Sequence, residues 1–136
     1  MLDPMINKAR FGLQAVETMT ALPREVKKCG DDAASRLYYA LYHACWAFLR
    51  NKNVPFDKNR DGAGYYSHDD LLGKLLPYPE FALIVSADWP GIQRILRRAK
   101  ELRVQADYRP DRVREDELLP LVRQVKGLVQ RIAESK

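Results

Sequence analysis

Residues 35–50 read SRLYYALYHACWAFLR, an apolar stretch that ends in Arg50 and contains two further basic side chains, Arg36 and His43, seven residues apart. Nothing in the stretch breaks a helix, so the sequence predicts one. On a wheel of about 3.6 residues per turn, one broad face is apolar and comprises Ala34, Leu37, Tyr38, Leu41, Tyr42, Cys45, Phe48 and Leu49. A second, narrower stripe comprises Arg36, Tyr39, Ala40, His43, Ala47 and Arg50. We expect the broad face of the helix to contact the core and the stripe to face solvent, a cleft or a partner.

Helical periodicity extends over most of the chain. Helices are predicted over residues of about 3–20, 31–51, 67–77, 91–108 and 116–133, with a short fragment at 80–86. Residues 51–66 carry proline, glycine, asparagine and aspartate and form the longest predicted loop. Because no strand pattern competes, we expect one all-α domain over residues 1–136, an up-and-down bundle of about five helices.

Polar residues mark the predicted helix starts. After a break at Gly30, Asp31 or Asp32 is expected to cap the second helix, and Ser67 is expected to cap the third. Pro120 is predicted to lie in the first turn of the last helix, where proline is tolerated. The predicted core stripes of the last two long helices are Ile92, Ile95, Leu96, Ala99, Leu102 and Ala106, and Leu118, Leu121, Val122, Val125, Leu128, Val129 and Ile132.

Composition narrows the class of protein. The 136 residues include 23 lysines and arginines against 18 acidic residues, a net charge of +5 that mildly favours acidic partners such as nucleic acid. Two cysteines do not make a disulfide framework, and Cys45 is expected in the core. The sequence has neither a membrane-spanning stretch nor the pattern of a secretory signal, so we expect a soluble cytoplasmic protein.

Arg103 interrupts the apolar stripe of residues 91–108. An arginine at such a position needs a partner or a hydrated cavity. Asp107 follows four residues later on nearly the same face, so one interpretation is a structural ion pair. The other is a guanidinium held in a cleft to bind a phosphate, which suits the bidentate fork of arginine.

His68 is the second of two histidines and follows Ser67 at a predicted helix start. These residues and the free backbone amides could bind an anion, whereas Asp69 and Asp70 could simply complement the helix dipole. The sequence contains no CxxC, HExxH, phosphate-binding P-loop or nucleophile-elbow motif. We therefore predict no metal site and no cofactor.

Three segments together resemble a known family. AASRLYYALYHACWAFL (33–49), SHDDLL (67–72) and LRVQADY (102–108) occur in the order and spacing of the HEPN domain. The sequence is most similar to the small stand-alone bacterial and archaeal HEPN proteins, over nearly the whole chain.

The resemblance implies an α-helical homodimer that acts on RNA or nucleotides. Many HEPN proteins are metal-independent endoribonucleases, and several act as toxins or in antiviral defence beside a minimal nucleotidyltransferase antitoxin. The ribonucleases carry an Arg-x(4–6)-His motif, in which arginine stabilises phosphate charge and histidine transfers protons. In this sequence no histidine follows Arg103, and the literal Arg-x(6)-His is Arg36 to His43.

The leading hypothesis is thus a protein that interacts with RNA or nucleotides. If it is an enzyme, the expected activity is that of a metal-independent endoribonuclease. The candidate catalytic residues are His43, Arg36, Arg103 and His68, and the candidate RNA- or nucleotide-binding residues are Arg103, Tyr39, Asp107 and Tyr108. In a ribonuclease, His43 or His68 would be the acid or base and Arg103 would hold the phosphate. Two alternatives stay open: a non-catalytic module that docks on a nucleotidyltransferase or another partner, and a structural helical protein with an Arg103–Asp107 ion pair.

Overall fold

The computed structural model describes residues 4–20, 30–60, 63–108, 113 and 115–135. Its elements are α1 (Pro4–Thr20), α2 (Gly30–Asn51), β1 (Lys58–Arg60), β2 (Ala63–Tyr65), α3 (Leu71–Leu75), α4 (Pro79–Val85), α5 (Trp89–Tyr108) and α6 (Glu115–Glu134). The predicted all-α bundle is confirmed, and the fragment predicted at 80–86 forms the helix α4. No described helix is both long and apolar enough to cross a membrane.

Helix α2 is the centre of the bundle and packs against α1, α5 and α6. Its broad apolar face is buried as predicted, including Leu37, Leu41 and Cys45. The second stripe is only partly a free surface, because Ala40 and Ala47 are buried as well. At Ala40, α1 approaches closely: a β-carbon added to Gly12 would lie 3.5 Å from the Ala40 β-carbon. The alanines of the stripe therefore belong to the core, and its larger residues remain at least partly exposed.

The two long C-terminal helices form the rest of the core. All seven predicted core residues of α6 are buried, and Ile92, Ala99 and Leu102 of α5 are buried with them. Charged pairs join the helices at their outer edges. Arg98 of α5 lies 2.9 Å from Glu117 of α6, and Lys126 of α6 lies 2.9 Å from Glu17 of α1.

Two predicted helix starts need correction at α2 and α6. Helix α2 begins at Gly30, so Asp31 and Asp32 lie within its first turn rather than before it. Acidic residues favour that position because the N-terminal end of a helix carries partial positive charge. Helix α6 begins at Glu115, so Pro120 is its sixth residue and lies in the second turn rather than in the first.

The start of α3 was also predicted too early. The helix begins at Leu71 with Asp70 at its N-cap, and residues 67–70 form a turn before it. The Asp69 amide donates a hydrogen bond of 3.3 Å to the Ser67 hydroxyl, so this serine organises the turn and does not cap the helix. Such local bonds compete with helix formation at serine and aspartate.

The predicted loop at 51–66 contains the β1–β2 hairpin, which the sequence pattern missed because three-residue strands are too short to show alternation. Tyr66 anchors this segment: its side chain is fully buried, and its hydroxyl donates a 2.7 Å hydrogen bond to the Val54 carbonyl. Gly64 is required by close packing, since a β-carbon there would lie 2.0 Å from the Phe56 ring. The segment is thus tied to the bundle at both ends.

Replacing Tyr66 with phenylalanine should lower the free energy of unfolding by about 1 kcal/mol. The Val54 carbonyl would lose one donor and keep the other, Arg50 at 3.0 Å. The matched control is Tyr65→Phe at a half-buried tyrosine, expected to change stability by less than about 0.5 kcal/mol. Urea unfolding of both variants checks this, and equal destabilisation of the two would contradict the anchoring role of Tyr66.

Candidate functional site

Arg103 lies over two tyrosines of α2. Its guanidinium carbon is 5.3 Å from the centre of the Tyr38 ring and 5.2 Å from the centre of the Tyr39 ring. Both distances are those of cation–π contacts. The side chain is 19% exposed, so α5 holds a mostly buried cation against α2. Adjacent tyrosines in the YY dipeptide make this possible, because they point to neighbouring faces of one helix.

The predicted ion pair between Arg103 and Asp107 is present. The Arg103 Nε lies 3.4 Å from an Asp107 carboxylate oxygen, and the geometry does not make a hydrogen bond. Arg103 Nε is also buried without a hydrogen-bond partner in the described part of the chain. Leaving a buried donor unbonded is costly. The guanidinium is therefore charge-compensated in part but retains hydrogen-bonding capacity.

His68 is fixed by three tyrosines of α2. Its Nδ1 lies 2.7 Å from the Tyr38 hydroxyl, and its ring stacks on the Tyr42 ring with centres 4.1 Å apart. The edge of the Tyr39 ring approaches it at 5.8 Å. The turn at 67–70, which precedes α3, carries the histidine to this position. These contacts fix both the orientation and the position of the imidazole ring.

His43 lies on the same aromatic surface, with ring centres 6.1 Å from Tyr39 and 5.8 Å from Tyr42. It is half-buried and lines a groove of about 410 Å³ between α1 and α2, together with Tyr39, Arg36 and Lys8. We call the six residues that meet here the Tyr–His–Arg cluster: Tyr38, Tyr39, Tyr42, His43, His68 and Arg103.

A second groove opens on the other side of the cluster, between α2, the turn and α5. It encloses about 220 Å³, and its polar lining comprises Tyr38, His68, Asp69, Gln93, Arg97 and Lys100. Lys100 and Asp69 form an exposed ion pair of 2.7 Å at its edge. The neighbouring tyrosines of α2 thus open onto two separate grooves, which we call the His43 groove and the His68 groove.

Burial and neighbouring charge favour neutral histidines. Burial, then Lys8 and His68, lower the pKa of His43 below its ordinary value of 6.5. Burial, then Arg103 and Lys100, lower the pKa of His68, and Asp69 opposes this shift. Near neutral pH both imidazoles are therefore uncharged and suited to accept a proton.

The tyrosines remain protonated for a related reason. Burial raises the pKa of Tyr38, against the opposing effect of Arg103. Burial also raises the pKa of Tyr42 to about 12, although its 2.6 Å hydrogen bond to the Tyr66 carbonyl acts the other way. Both hydroxyls are thus neutral hydrogen-bonding groups at physiological pH.

The structure brings most of the predicted site residues together. Tyr39, His43, His68 and Arg103 lie in one cluster, and Asp107 adjoins it through Arg103. Arg36 is exposed on the His43 groove. Tyr108 is the last residue of α5, and its side chain lies outside the described part of the structure.

Four residues of this region were not predicted as site residues. Tyr38 and Tyr42 were assigned to the core face, and they are buried, but Tyr38 contacts His68 and Arg103 directly. The requirement of a buried tyrosine hydroxyl for a polar partner is the signal that could have identified them. Lys8 and Lys100 lie on other helices, and nothing in their sequence context distinguishes them from surface lysines.

Comparisons with known proteins do not assign the chain to a family. No protein-family profile matches the chain, and no curated protein matches it significantly. Within the described ranges, no three His, Cys, Asp or Glu side chains lie close enough together to hold a metal ion. The HEPN resemblance therefore rests on the three sequence segments quoted above.

The two histidines should titrate with NMR midpoints below 6.5, and each should respond to a different cation. Arg103→Gln should raise the midpoint of His68, whereas Lys8→Gln should raise that of His43, because each change removes a nearby positive charge. Each variant is the control for the other. A response of His43 to Arg103→Gln and of His68 to Lys8→Gln, or midpoints above 6.5, would contradict the geometry.

The lowered pKa values of the two histidines also affect stability. Because these histidines bind protons more readily in the unfolded chain than in the folded one, the unfolding free energy should fall as the pH drops below 6.5.

Proposed function

We propose that this protein binds RNA or nucleotides through a phosphate held at the Tyr–His–Arg cluster, and that it cleaves RNA there without a metal ion. The observation that carries the proposal is the position of Arg103. Its cation lies over two tyrosines that contact His68, and its Nε is buried without a hydrogen bond to a described residue.

A phosphate suits this arginine for electrostatic and geometric reasons. A buried, unbonded N–H costs about 1–3 kcal/mol, and a phosphate bound to the guanidinium would offset that cost with charge-assisted hydrogen bonds. Arginine matches the oxygens of a phosphate with two parallel hydrogen bonds. Lys8, Arg36 and Lys100 add positive charge at the two grooves, against Asp107 and Asp69. The balance of charge favours an anion.

The aromatic rings favour a nucleotide over a simple phosphate. Tyr39 is half-buried and lines the His43 groove, so part of its ring is accessible. Bases that stack on aromatic side chains gain about 1–3 kcal/mol each. The cluster thus combines a phosphate ligand with a surface for a base.

The histidines supply the chemistry for RNA cleavage. The 2′-hydroxyl oxygen attacks the adjacent phosphorus, and one neutral imidazole takes its proton. The P–O5′ bond breaks, and the second imidazole in its protonated form gives a proton to the 5′ oxygen. The products are a 2′,3′-cyclic phosphate and a 5′-hydroxyl. Arg103 stabilises the charge that accumulates on the phosphoryl oxygens.

Incubation of the purified protein with single-stranded RNA in EDTA tests the proposal. We expect fragments that end in 2′,3′-cyclic phosphate, and no cleavage of the DNA of the same sequence, which lacks the attacking hydroxyl. Activity that persists in Arg103→Ala and in both histidine variants would exclude this site. Absence of any RNA or nucleotide binding by the unaltered protein would overturn the proposed function as a whole.

A second candidate is a non-catalytic nucleotide-binding or protein-interaction module that pairs with a nucleotidyltransferase. The observation in its favour is Phe11, a large aromatic residue of α1 that is 71% exposed and lines the His43 groove. Exposed aromatic residues are frequent in protein contacts. Tight nucleotide binding with intact RNA in the EDTA experiment would favour this candidate over the ribonuclease.

A further inference from the structure

Four cations form a continuous row along α5. Arg94, Arg97, Lys100 and Arg103 follow one another at intervals of three residues. On an α-helix this spacing makes an oblique ridge, which covers about 14 Å along the axis. We call this the α5 cationic row. Arg103, its last member, belongs to the Tyr–His–Arg cluster.

Grooves connect the row to the candidate site. A third groove of about 620 Å³ lies between α5 and α6, and its charged lining comprises Arg94, Arg97, Arg98 and Glu101. Arg97 also lines the His68 groove, which contains Lys100 and Tyr38. Tyr38 and its neighbour Tyr39 then lead to the His43 groove. The third groove and the His68 groove therefore share Arg97, and Arg103 lies over the two tyrosines that separate the His68 groove from the His43 groove.

Two arginines of the row are available to a ligand. Within the described part of the chain, no acidic group lies within ion-pair distance of Arg94 or Arg97, and both side chains are exposed. Arg98 and Lys100 differ, since they are paired with Glu117 and Asp69. The unpaired arginines are at the end of the row furthest from Arg103. They do not contact the cluster directly, and no ion pair with a residue in the described ranges accounts for them.

We propose that the α5 cationic row is a binding track for single-stranded RNA, which delivers the strand to the Tyr–His–Arg cluster. This proposal rests on the proposed function and adds a binding site distant from the chemistry. Each exposed arginine contacts one phosphate, so that long RNAs bind more tightly than mononucleotides.

The shape of the row favours a single strand over a duplex. The cations follow one oblique line, which matches one flexible phosphate backbone and not the two rigid backbones of a double helix. The line also ends at the tyrosines and histidines, where only an unpaired nucleotide can stack on a ring and expose its 2′-hydroxyl.

The test compares RNA length and salt dependence. The probes are a 5′-mononucleotide and a single-stranded RNA of roughly eight nucleotides, a typical site size, methylated at every 2′ oxygen so that it stays intact. For Arg94→Gln/Arg97→Gln, the slope of log affinity against log salt should fall by about 1.4, because each lost phosphate contact on a single strand removes about 0.7. Affinity for the oligonucleotide should fall roughly tenfold at low salt. Affinity of the same double variant for the mononucleotide should fall less, because a mononucleotide occupies only the Tyr–His–Arg cluster.

The matched control is Arg10→Gln/Arg123→Gln, which removes the same charge from exposed positions that line none of the three grooves. An equal slope change in the control, or an unchanged slope in Arg94→Gln/Arg97→Gln, would overturn the track. Tighter binding of an RNA duplex than of the single strand would also overturn it. Failure of the unaltered protein to bind either probe would instead overturn the proposed function.

Discussion

Replacing His43 and His68 together is expected to reduce the rate of RNA cleavage by about 10²–10⁴-fold, the usual contribution of positioned acid–base groups. The variant His43→Gln/His68→Asn suits the purpose. Asparagine places a polar atom near the position of Nδ1, where His68 meets the Tyr38 hydroxyl at 2.7 Å. RNA affinity should change by only a few-fold, because Arg103 and the tyrosines remain. Single-turnover cleavage and equilibrium binding measure the two effects separately.

The pH dependence gives a second readout for the same residues. If one histidine takes a proton and the other gives one, kcat/KM follows a bell-shaped curve between their two pKa values. Both values lie below 6.5 in the free protein, so the maximum should also lie below that pH. Wild-type cleavage by the double variant, or a rate that rises steadily above pH 7, would contradict the histidine mechanism.

Arg103→Ala is the second change with a large expected effect: kcat/KM for RNA should fall by about 10²–10³-fold, as when one donor to a developing oxyanion is removed. Arg103→Lys should recover only part of the loss, because lysine keeps the charge but not the planar fork. Arg123→Ala is the matched control on the exposed surface of α6. Nucleotide binding by calorimetry and cleavage in EDTA give the two readouts.

The same variant separates the functional role of Arg103 from a structural one. Loss of the ion pair with Asp107, whose side chain is 35% exposed, should by itself lower the unfolding free energy by less than about 1 kcal/mol. A loss of stability with unchanged RNA binding and cleavage would assign Arg103 to the structural ion pair and remove it from the site.

Helix periodicity was sufficient to predict most of the fold. The predicted stripe of α6 is buried throughout, whereas Ile95, Leu96 and Ala106 of the α5 stripe are only half-buried. The larger errors fell on short segments. The strands of the β1–β2 hairpin have three residues each, too few to show an alternation, and α3 has only five, so its start was placed too early. Local hydrogen bonds, such as the one from the Asp69 amide to the Ser67 hydroxyl, shape the turn before α3.

The candidate site was predictable only where a residue violated a pattern. Arg103 stood out because it interrupts an apolar stripe, and His43 because it lies in an otherwise apolar helix. Tyr38 satisfied the core pattern, so its contact with His68 thirty residues away could not be inferred. Such contacts depend on how the turn at 67–70 folds back on α2, which is a property of tertiary structure. The pattern of one helix carries no information about it.

The most direct test is an NMR titration of the His43 and His68 imidazoles with the 2′-O-methylated RNA oligonucleotide. We expect both ring signals to shift in the unaltered protein and to move towards their protonated positions near neutral pH, because a bound phosphate raises the pKa of nearby histidines. Both shifts should be strongly reduced in Arg103→Ala. RNA that binds while both histidine signals stay unchanged would contradict the Tyr–His–Arg cluster as the site of recognition.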